Sequence, residues 1–154
     1  MLGKDPLPRN IRLRLLIVDD EPAIRTMLVH IFTRSGHSVR ACAGGSSALS
    51  SIRHDTPDIL LSDLNMPGMS GFELLAVVHR QFPGVKTIAM SGAYSGDGVP
   101  PGVQADAFYP KASGLQALTR IVDDVAARGI RVQRSRVQLV ANKPRRMPSG
   151  IHLV

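Results

Sequence analysis

Short apolar segments alternate with segments of helical periodicity along this chain, and this alternation is the feature that most restricts its fold. The first apolar segment runs from Leu13 to Val18 and is nearly continuous, as expected of a strand covered on both faces. Four further strands are predicted, at residues 38–43, 57–63, 85–90 and 105–109. Because parallel strands need helix-length crossover connections, the alternation of strands and helices predicts an α/β fold with a doubly wound five-stranded parallel sheet.

Helical spacing of apolar residues follows each of the first three strands. The first helix is expected to begin at Pro22 and to end at Gly36, since proline suits a first helical turn and glycine a helix end. Helix four, which is due between the fourth and fifth strands, is expected to be short or disrupted, because residues 93–104 are rich in glycine and proline. A last amphipathic helix begins near Leu115 and is expected to stop at Gly129.

The excess positive charge of the chain is confined to its end. The sequence has 154 residues and a net charge of +7, but residues 128–154 contain no acid and the rest is balanced. We expect a lead-in at 1–11, a folded body at 12–129 and a basic tail at 130–154, in which residues 130–140 have a mixed, strand-like spacing. The overall charge therefore indicates nothing about the partners of the body.

Composition also excludes several protein classes. No segment approaches the roughly 18 consecutive apolar residues of a membrane span, and the first residues lack the apolar region of a signal peptide. Cys42 is the single cysteine, so an internal disulfide is impossible. We therefore expect no membrane partner and, by default, a cytoplasmic location.

Acidic side chains follow the first and third predicted strands. Asp19 and Asp20 come directly after the first strand, and Asp63 ends the third. Neighbouring parallel strands would bring the three into one pocket at the carboxyl edge of the sheet, where ligands bind in open α/β folds. Clustered carboxylates resist ionising together, and a bound Mg²⁺ removes that conflict. The plainer alternative is that Asp19 and Asp20 only cap the first helix.

Two more strand ends carry groups suited to phosphate chemistry. Ser91 follows the fourth strand with a hydroxyl group, and Lys111 follows the fifth with an ammonium group. Phosphoryl transfer needs charge stabilisation on the phosphoryl oxygens more than it needs acid–base groups. The strand ends together therefore predict one site for an anion and a metal ion.

Four motifs, in this order and spacing, resemble the response-regulator receiver domain of two-component signalling. They are Leu-Ile-Val-Asp-Asp-Glu-Pro, Ser-Asp-Leu-Asn-Met-Pro-Gly-Met-Ser-Gly, Ala-Met-Ser-Gly and Tyr-Pro-Lys, and the resemblance covers about residues 12–128. It implies a flavodoxin-like strand order, 2-1-3-4-5. It also implies that Asp63 accepts the phosphoryl group, and that Asp19 and Asp20 hold Mg²⁺ together with Asp63 and the backbone carbonyl of Asn65.

The resemblance assigns the remaining site residues as well. Ser91 would be the switch hydroxyl that follows the phosphoryl group, Lys111 would pair with a phosphate oxygen, and Phe108 occupies the switch-aromatic position. In this family the face of helix four, strand five and the last helix commonly carries dimerisation and output. A homodimer is therefore an open alternative, and the output protein is unknown.

The expected function is that of a receiver phosphorylated by a histidine kinase or a histidine phosphotransfer protein, not that of an enzyme beyond its own phosphorylation and dephosphorylation. Two alternatives stay open. The first is a docking module of receiver fold that works without phosphorylation, suggested by the disrupted helix four. The second is binding of nucleic acid or an acidic partner by the basic tail, although the sequence contains no recognisable DNA-binding effector domain.

Overall fold

The computed structural model describes residues 11–94 and 98–141, and for residues 130–141 it describes the backbone alone. In this part of the chain, five parallel strands form one sheet in the order β2-β1-β3-β4-β5. The strands are β1 (Arg14–Val18), β2 (Ser38–Cys42), β3 (Ile59–Asp63), β4 (Lys86–Ser91) and β5 (Ala107–Pro110). The predicted doubly wound sheet and its flavodoxin-like order are therefore confirmed.

Helices cover the sheet on both faces. They are α1 (Pro22–Arg34), α2 (Gly45–His54), α3 (Gly71–Gln81) and α4 (Leu115–Ala141), with a 3₁₀ turn at Lys111–Ser113. Pro22 occupies the first turn of α1. Backbone N–H groups in a first turn have no partner within the helix, so proline, which lacks this group, costs no hydrogen bond there. Ser70 caps α3, since its hydroxyl accepts the N–H of Glu73 at 3.2 Å.

The core consists of two apolar clusters, because successive residues of a strand point to opposite faces of the sheet. In β1, Leu15 and Ile17 pack with α1 and α4, whereas Leu16 and Val18 pack with α2 and α3. All residues of β3 are buried, as befits the central strand. This double burial holds the carboxyl ends of β1 and β3 in fixed positions, which matters for the residues that follow them.

The last helix is longer than the sequence predicts. The expected stop at Gly129 is wrong, because α4 continues to Ala141, and residues 130–140 are helical despite their mixed, strand-like spacing. An internal glycine costs a helix only about 1 kcal/mol relative to alanine, and Leu118 and Val122 fix the earlier turns of α4 in the core. Despite the length of α4, no helix in the described part of the chain is apolar enough to cross a bilayer.

The predicted division into lead-in, body and tail stays a prediction. Its boundary after residue 129 falls inside the continuous helix α4. Most of the lead-in, residues 1–10, and the end of the basic tail, residues 142–154, lie outside the described residues.

The connection between β4 and β5 has no helix in its described residues, 92–94 and 98–106. Gly98 and Gly102 have φ angles of 83° and 81°, which a right-handed helix does not accommodate. For these residues, the prediction that helix four is short or disrupted is confirmed. The end of the connection is tied to β4, since Asp106 Oδ2 accepts the N–H of Thr87 at 2.8 Å.

Candidate functional site

Three carboxylates lie together at the carboxyl ends of two neighbouring strands. β1 pairs directly with β3, with Val18 opposite Ser62, so the residues at these strand ends meet. Asp19 follows β1 and Asp63 closes β3. One carboxylate oxygen from each of Asp19, Asp20 and Asp63 lies within 4.8 Å of the other two. The structure thus brings together the three acids that the sequence places in one pocket.

Asp19 is fully buried, and its two carboxylate oxygens differ in their partners. Oδ1 accepts the N–H of Glu21 at 2.9 Å, which closes the loop from β1 into α1. Oδ2 lies 2.9 Å from Lys111 Nζ, but it accepts no hydrogen bond of regular geometry within the described residues. Because a buried charge needs full compensation, this oxygen is suited to a further cation.

Lys111 brings a single ammonium group to three acids. It begins the 3₁₀ turn directly after β5, at the same edge of the sheet as the acidic pocket. Its Nζ lies 2.9 Å from Asp19 Oδ2, 3.3 Å from Asp63 Oδ2 and 3.5 Å from Glu21 Oε1. Only 15% of the Lys111 side chain is exposed, and Asp19 and Asp63 are buried, so water and salt screen these two ion pairs weakly. The pair with Glu21, whose side chain is 60% exposed, is screened more strongly.

The electrostatics of the pocket favour an additional positive charge. Burial raises the pKa of Asp63, and the charge of Asp19 raises it further, although the Asn65 N–H and Lys111 act in the opposite direction. Burial alone would lower the pKa of Lys111, but the carboxylates of Asp19 and Asp63 outweigh burial and raise it. One lysine therefore does not fully offset the buried acids.

A short hydrogen-bond network connects Asp63 to the end of β4. Asp63 Oδ1 accepts the N–H of Asn65 at 3.3 Å, and the side-chain amide of Asn65 donates to Ser91 Oγ at 3.4 Å. Ser91 Oγ also accepts the N–H of Ala93 at 3.1 Å. In both bonds Ser91 is the acceptor, so its hydroxyl proton remains available to a new acceptor at the pocket.

The loop after Asp63 returns to the sheet through Gly71. The N–H of Gly71 donates to the carbonyl of Leu64 at 3.0 Å. A side-chain carbon on Gly71 would overlap the carbonyl oxygen of Asp63, so this close approach requires glycine. The backbone at Asp63 is therefore held directly by the N-terminal end of α3.

Phe108 lies in β5 and is buried, with 8% of the residue exposed. Tyr94, in the connection after β4, packs edge-on against it, with ring centroids 5.8 Å apart and an interplanar angle of 89°. This contact links β5 to the segment that follows Ser91. The role of Phe108 as a switch aromatic stays a prediction.

The donor atoms of the pocket fit a hard divalent cation. Carboxylate oxygens of Asp19, Asp20 and Asp63 are close enough to share one ion, and Oδ2 of Asp19 lacks a regular hydrogen bond. Mg²⁺ prefers such oxygen ligands and retains several waters. The backbone carbonyl of Asn65 stays a predicted fourth ligand.

Sequence reasoning missed two residues of the site. Glu21 is the N-cap residue of α1, and its carboxylate shares Lys111 with Asp19. Its place beside Asp20 in the same loop was the available signal. Arg25 donates from Nη1 to the carbonyl oxygen of Asp19 at 2.7 Å, a contact that no sequence pattern indicates.

Comparison with known proteins gives a consistent result. A protein-family profile described as "Response regulator receiver domain" matches residues 15–123. The chain is 35% identical over 109 residues to the DNA-binding transcriptional regulator NtrC of Proteus hauseri. This match covers 70% of the chain but 23% of NtrC, so the chain spans about a quarter of that relative.

Two solved structures resemble this fold closely. The response regulator TrrA of Thermotoga maritima, in complex with Mg²⁺-BeF, is 26% identical with a TM-score of 0.67, and the match covers 75% of this chain and 99% of TrrA. TrrA in complex with the histidine kinase ThkA is 28% identical with a TM-score of 0.68, covering 75% and 98%.

Proposed function

The chain belongs to the response regulator receiver domain family, and from this premise we propose that Asp63 accepts a phosphoryl group from a phosphohistidine in a Mg²⁺-dependent reaction. The observation that carries the proposal is the meeting of Lys111 with Asp63 and Asp19, at 3.3 and 2.9 Å, beside Asp20. A buried carboxylate that is only partly neutralised at such an edge is suited to act as a nucleophile.

The proposed reaction exchanges one bond to phosphorus for another. A carboxylate oxygen of Asp63 attacks phosphorus, the P–N bond of the phosphohistidine breaks, and the imidazole nitrogen keeps the electron pair. The product is an acyl phosphate on Asp63. Mg²⁺, held by Asp19, Asp20, Asp63 and the carbonyl of Asn65, supplies positive charge for the phosphoryl oxygens when bound.

Lys111 and Ser91 would stabilise and report the product. Lys111 Nζ already lies 3.3 Å from Asp63 Oδ2, so a short movement would let it pair with a phosphoryl oxygen. To donate its free proton to the same group, the Ser91 hydroxyl would turn toward the phosphoryl oxygens and exchange the bond that it accepts from Asn65 for a bond to phosphate. This exchange would alter the segment from Ser91 to Tyr94 and its contact with Phe108, which connects phosphorylation to the surface.

The proposed phosphodonor is a histidine kinase or a histidine phosphotransfer protein. The support is that TrrA, which is similar to this chain, has been solved in complex with the histidine kinase ThkA. We propose an output protein that binds the phosphorylated form, and no enzymatic activity beyond turnover of the chain's own acyl phosphate. A cytoplasmic location stays a prediction of the sequence.

Intact-mass measurement tests the proposed function. After incubation with acetyl phosphate and Mg²⁺, the wild-type protein should gain one phosphate and Asp63→Asn none. Asp124→Asn, which removes an exposed acid from α4, is the matched control and should be phosphorylated like the wild type. Equal phosphorylation of Asp63→Asn would show that another residue is the acceptor.

A docking module that works without phosphorylation is the second candidate. It is favoured by the lack of a helix in the described residues between β4 and β5. A docking module of this kind requires the output partner to bind with the same Kd whether or not Asp63 is phosphorylated. The phosphorylated receiver proposed above requires a clear difference between the two Kd values. The third possibility, nucleic-acid or acidic-partner binding by the basic tail, stays a prediction, since residues 142–154 lie outside the described part.

A further inference from the structure

We infer that Arg25 is a positioning residue for the metal site, because it fixes the peptide that joins Asp19 to Asp20. The inference rests on the proposed function, in which both acids hold Mg²⁺. Nη1 of Arg25 donates to the carbonyl oxygen of Asp19 at 2.7 Å. A guanidinium donor at this distance forms a strong, charge-assisted hydrogen bond.

The carbonyl oxygen of Asp19 belongs to the peptide that joins the two proposed metal ligands, Asp19 and Asp20. The peptide plane that contains the Asp19 carbonyl also contains the N–H of Asp20, so its rotation would turn both residues. Asp19 is held on its other side, since its N–H donates to the carbonyl of Cys42 at 3.2 Å. The N–H of Glu21 also holds the Asp19 carboxylate through Oδ1. Neither of these two bonds involves the peptide between Asp19 and Asp20, which is held by Arg25.

Arg25 is well placed to act as a rigid support. It lies in the first turns of α1, where its N–H donates to the carbonyl of Glu21 at 3.1 Å, and its side chain is half-buried. α1 is in turn fixed to the sheet by Leu28 and Phe32, which are buried in the core. The position of the Asp20 carboxylate is therefore linked to the packing of α1.

Positioning and simple electrostatics predict opposite results when Arg25 is replaced. Arg25 carries the same sign of charge as Mg²⁺, so removing that charge would tighten Mg²⁺ binding if electrostatics dominated. If positioning dominates, its removal frees the peptide and weakens Mg²⁺ binding. The sign of the change in Kd therefore distinguishes the two.

The test is a calorimetric titration of Mg²⁺ into unphosphorylated protein. Arg25→Met should raise the Kd about fivefold or more, the effect expected for loss of a hydrogen bond from a charged donor. Arg25→Lys keeps a charged donor and should restore most of the affinity. Arg34→Met, which removes an exposed arginine from the last turn of α1, should bind like the wild type.

Each result decides the inference. A Kd for Arg25→Met that is unchanged or lower overturns it, and so does an equal loss in Arg34→Met. If Arg25→Met does not fold, Arg25→Gln is used instead. It also removes the charge, so the direction in which it changes the Kd for Mg²⁺ distinguishes positioning from electrostatics in the same way. Failure of the wild type to bind Mg²⁺ would instead count against the proposed function, with Asp20→Asn as the reference for a damaged site.

Discussion

Lys111 Nζ lies 2.9 Å from Asp19 Oδ2, although β3 and β4 separate the strands that these two residues follow. The lysine crosses the carboxyl edge of the sheet to reach the end of β1. The Lys111 ammonium group is nearer to Asp19 than to Asp63, the proposed phosphoacceptor, whose Oδ2 lies 3.3 Å away. Without phosphate, Lys111 therefore lies against the Asp19 oxygen that is suited to a further cation.

Replacement of Lys111 by methionine should have opposite effects on stability and on metal binding. Loss of one partner leaves the buried acids uncompensated, so we expect the free energy of unfolding in metal-free buffer to fall by roughly 3 kcal/mol. Mg²⁺ should bind more tightly, because the competing ammonium group is gone. Urea unfolding and Mg²⁺ titration measure the two effects, and Lys86→Met, away from the pocket in β4, serves as control. Weaker Mg²⁺ binding by Lys111→Met would contradict this competition.

Asp63→Asn should stabilise the metal-free protein at neutral pH. The folded state raises the pKa of Asp63 above its ordinary value of 3.8, so at pH values between the two pKa values the native protein holds a proton that the unfolded chain releases. The stability contributed by this group is therefore present at low pH and is lost as pH rises through the raised pKa. Melting temperatures measured across acid to neutral pH should show the advantage of Asp63→Asn growing with pH. An advantage that is constant across this range would exclude the raised pKa as its cause.

Gly71→Ala should destabilise the protein strongly. The added carbon would overlap the carbonyl oxygen of Asp63, which is backbone in a buried strand and has no room to move. We expect a loss of about 3 kcal/mol or more in denaturant unfolding, in the range of severe steric substitutions. Gly84→Ala, where a side-chain carbon meets nothing within 4 Å, is the matched control and should be nearly neutral. Equal stability of the two variants would show that α3 does not approach Asp63 this closely.

Gly45→Ala should disturb the loop after Asp63 through Met69. A side-chain carbon at Gly45 would lie 2.8–2.9 Å from three atoms of the Met69 side chain, so Met69 must move, at a cost of about 1–3 kcal/mol. Adding Met69→Ala to Gly45→Ala should remove the overlaps with Cγ and Sδ, although not the one with Cβ, and should recover part of the loss. Denaturant unfolding of the single and double variants gives the coupling energy between the two positions.

The control for this contact is Gly44→Ala, because a side-chain carbon on Gly44 meets no atom within 4 Å. It changes the residue before α2 and should cost at most about 1 kcal/mol, as a weaker helix cap. Strictly additive effects of Gly45→Ala and Met69→Ala would show that the two residues do not contact.

The strands, the layers and the edge that carries the site could be predicted from the sequence. Apolar runs and helical spacing are local properties, and burial on both faces of β3 is visible in its composition. Residues directly after strands fall at a known edge once the strands are parallel, which is why Asp19, Asp63, Ser91 and Lys111 could be placed together. The end of the last helix could not be predicted, because the penalty of Gly129 is small beside the packing of α4.

By itself, the sequence determined the parallel α/β fold and the edge at which acidic, hydroxyl and ammonium groups gather, because both follow from the order of residues along each element. Tertiary structure alone decided which atoms meet: Lys111 with Asp19 and Glu21, and Arg25 with the Asp19 carbonyl. These contacts depend on the distances between packed elements and on side-chain conformations, to within fractions of an ångström. The order of residues along the chain does not directly constrain the distances between elements or the side-chain conformations, because all neighbouring side chains set them together.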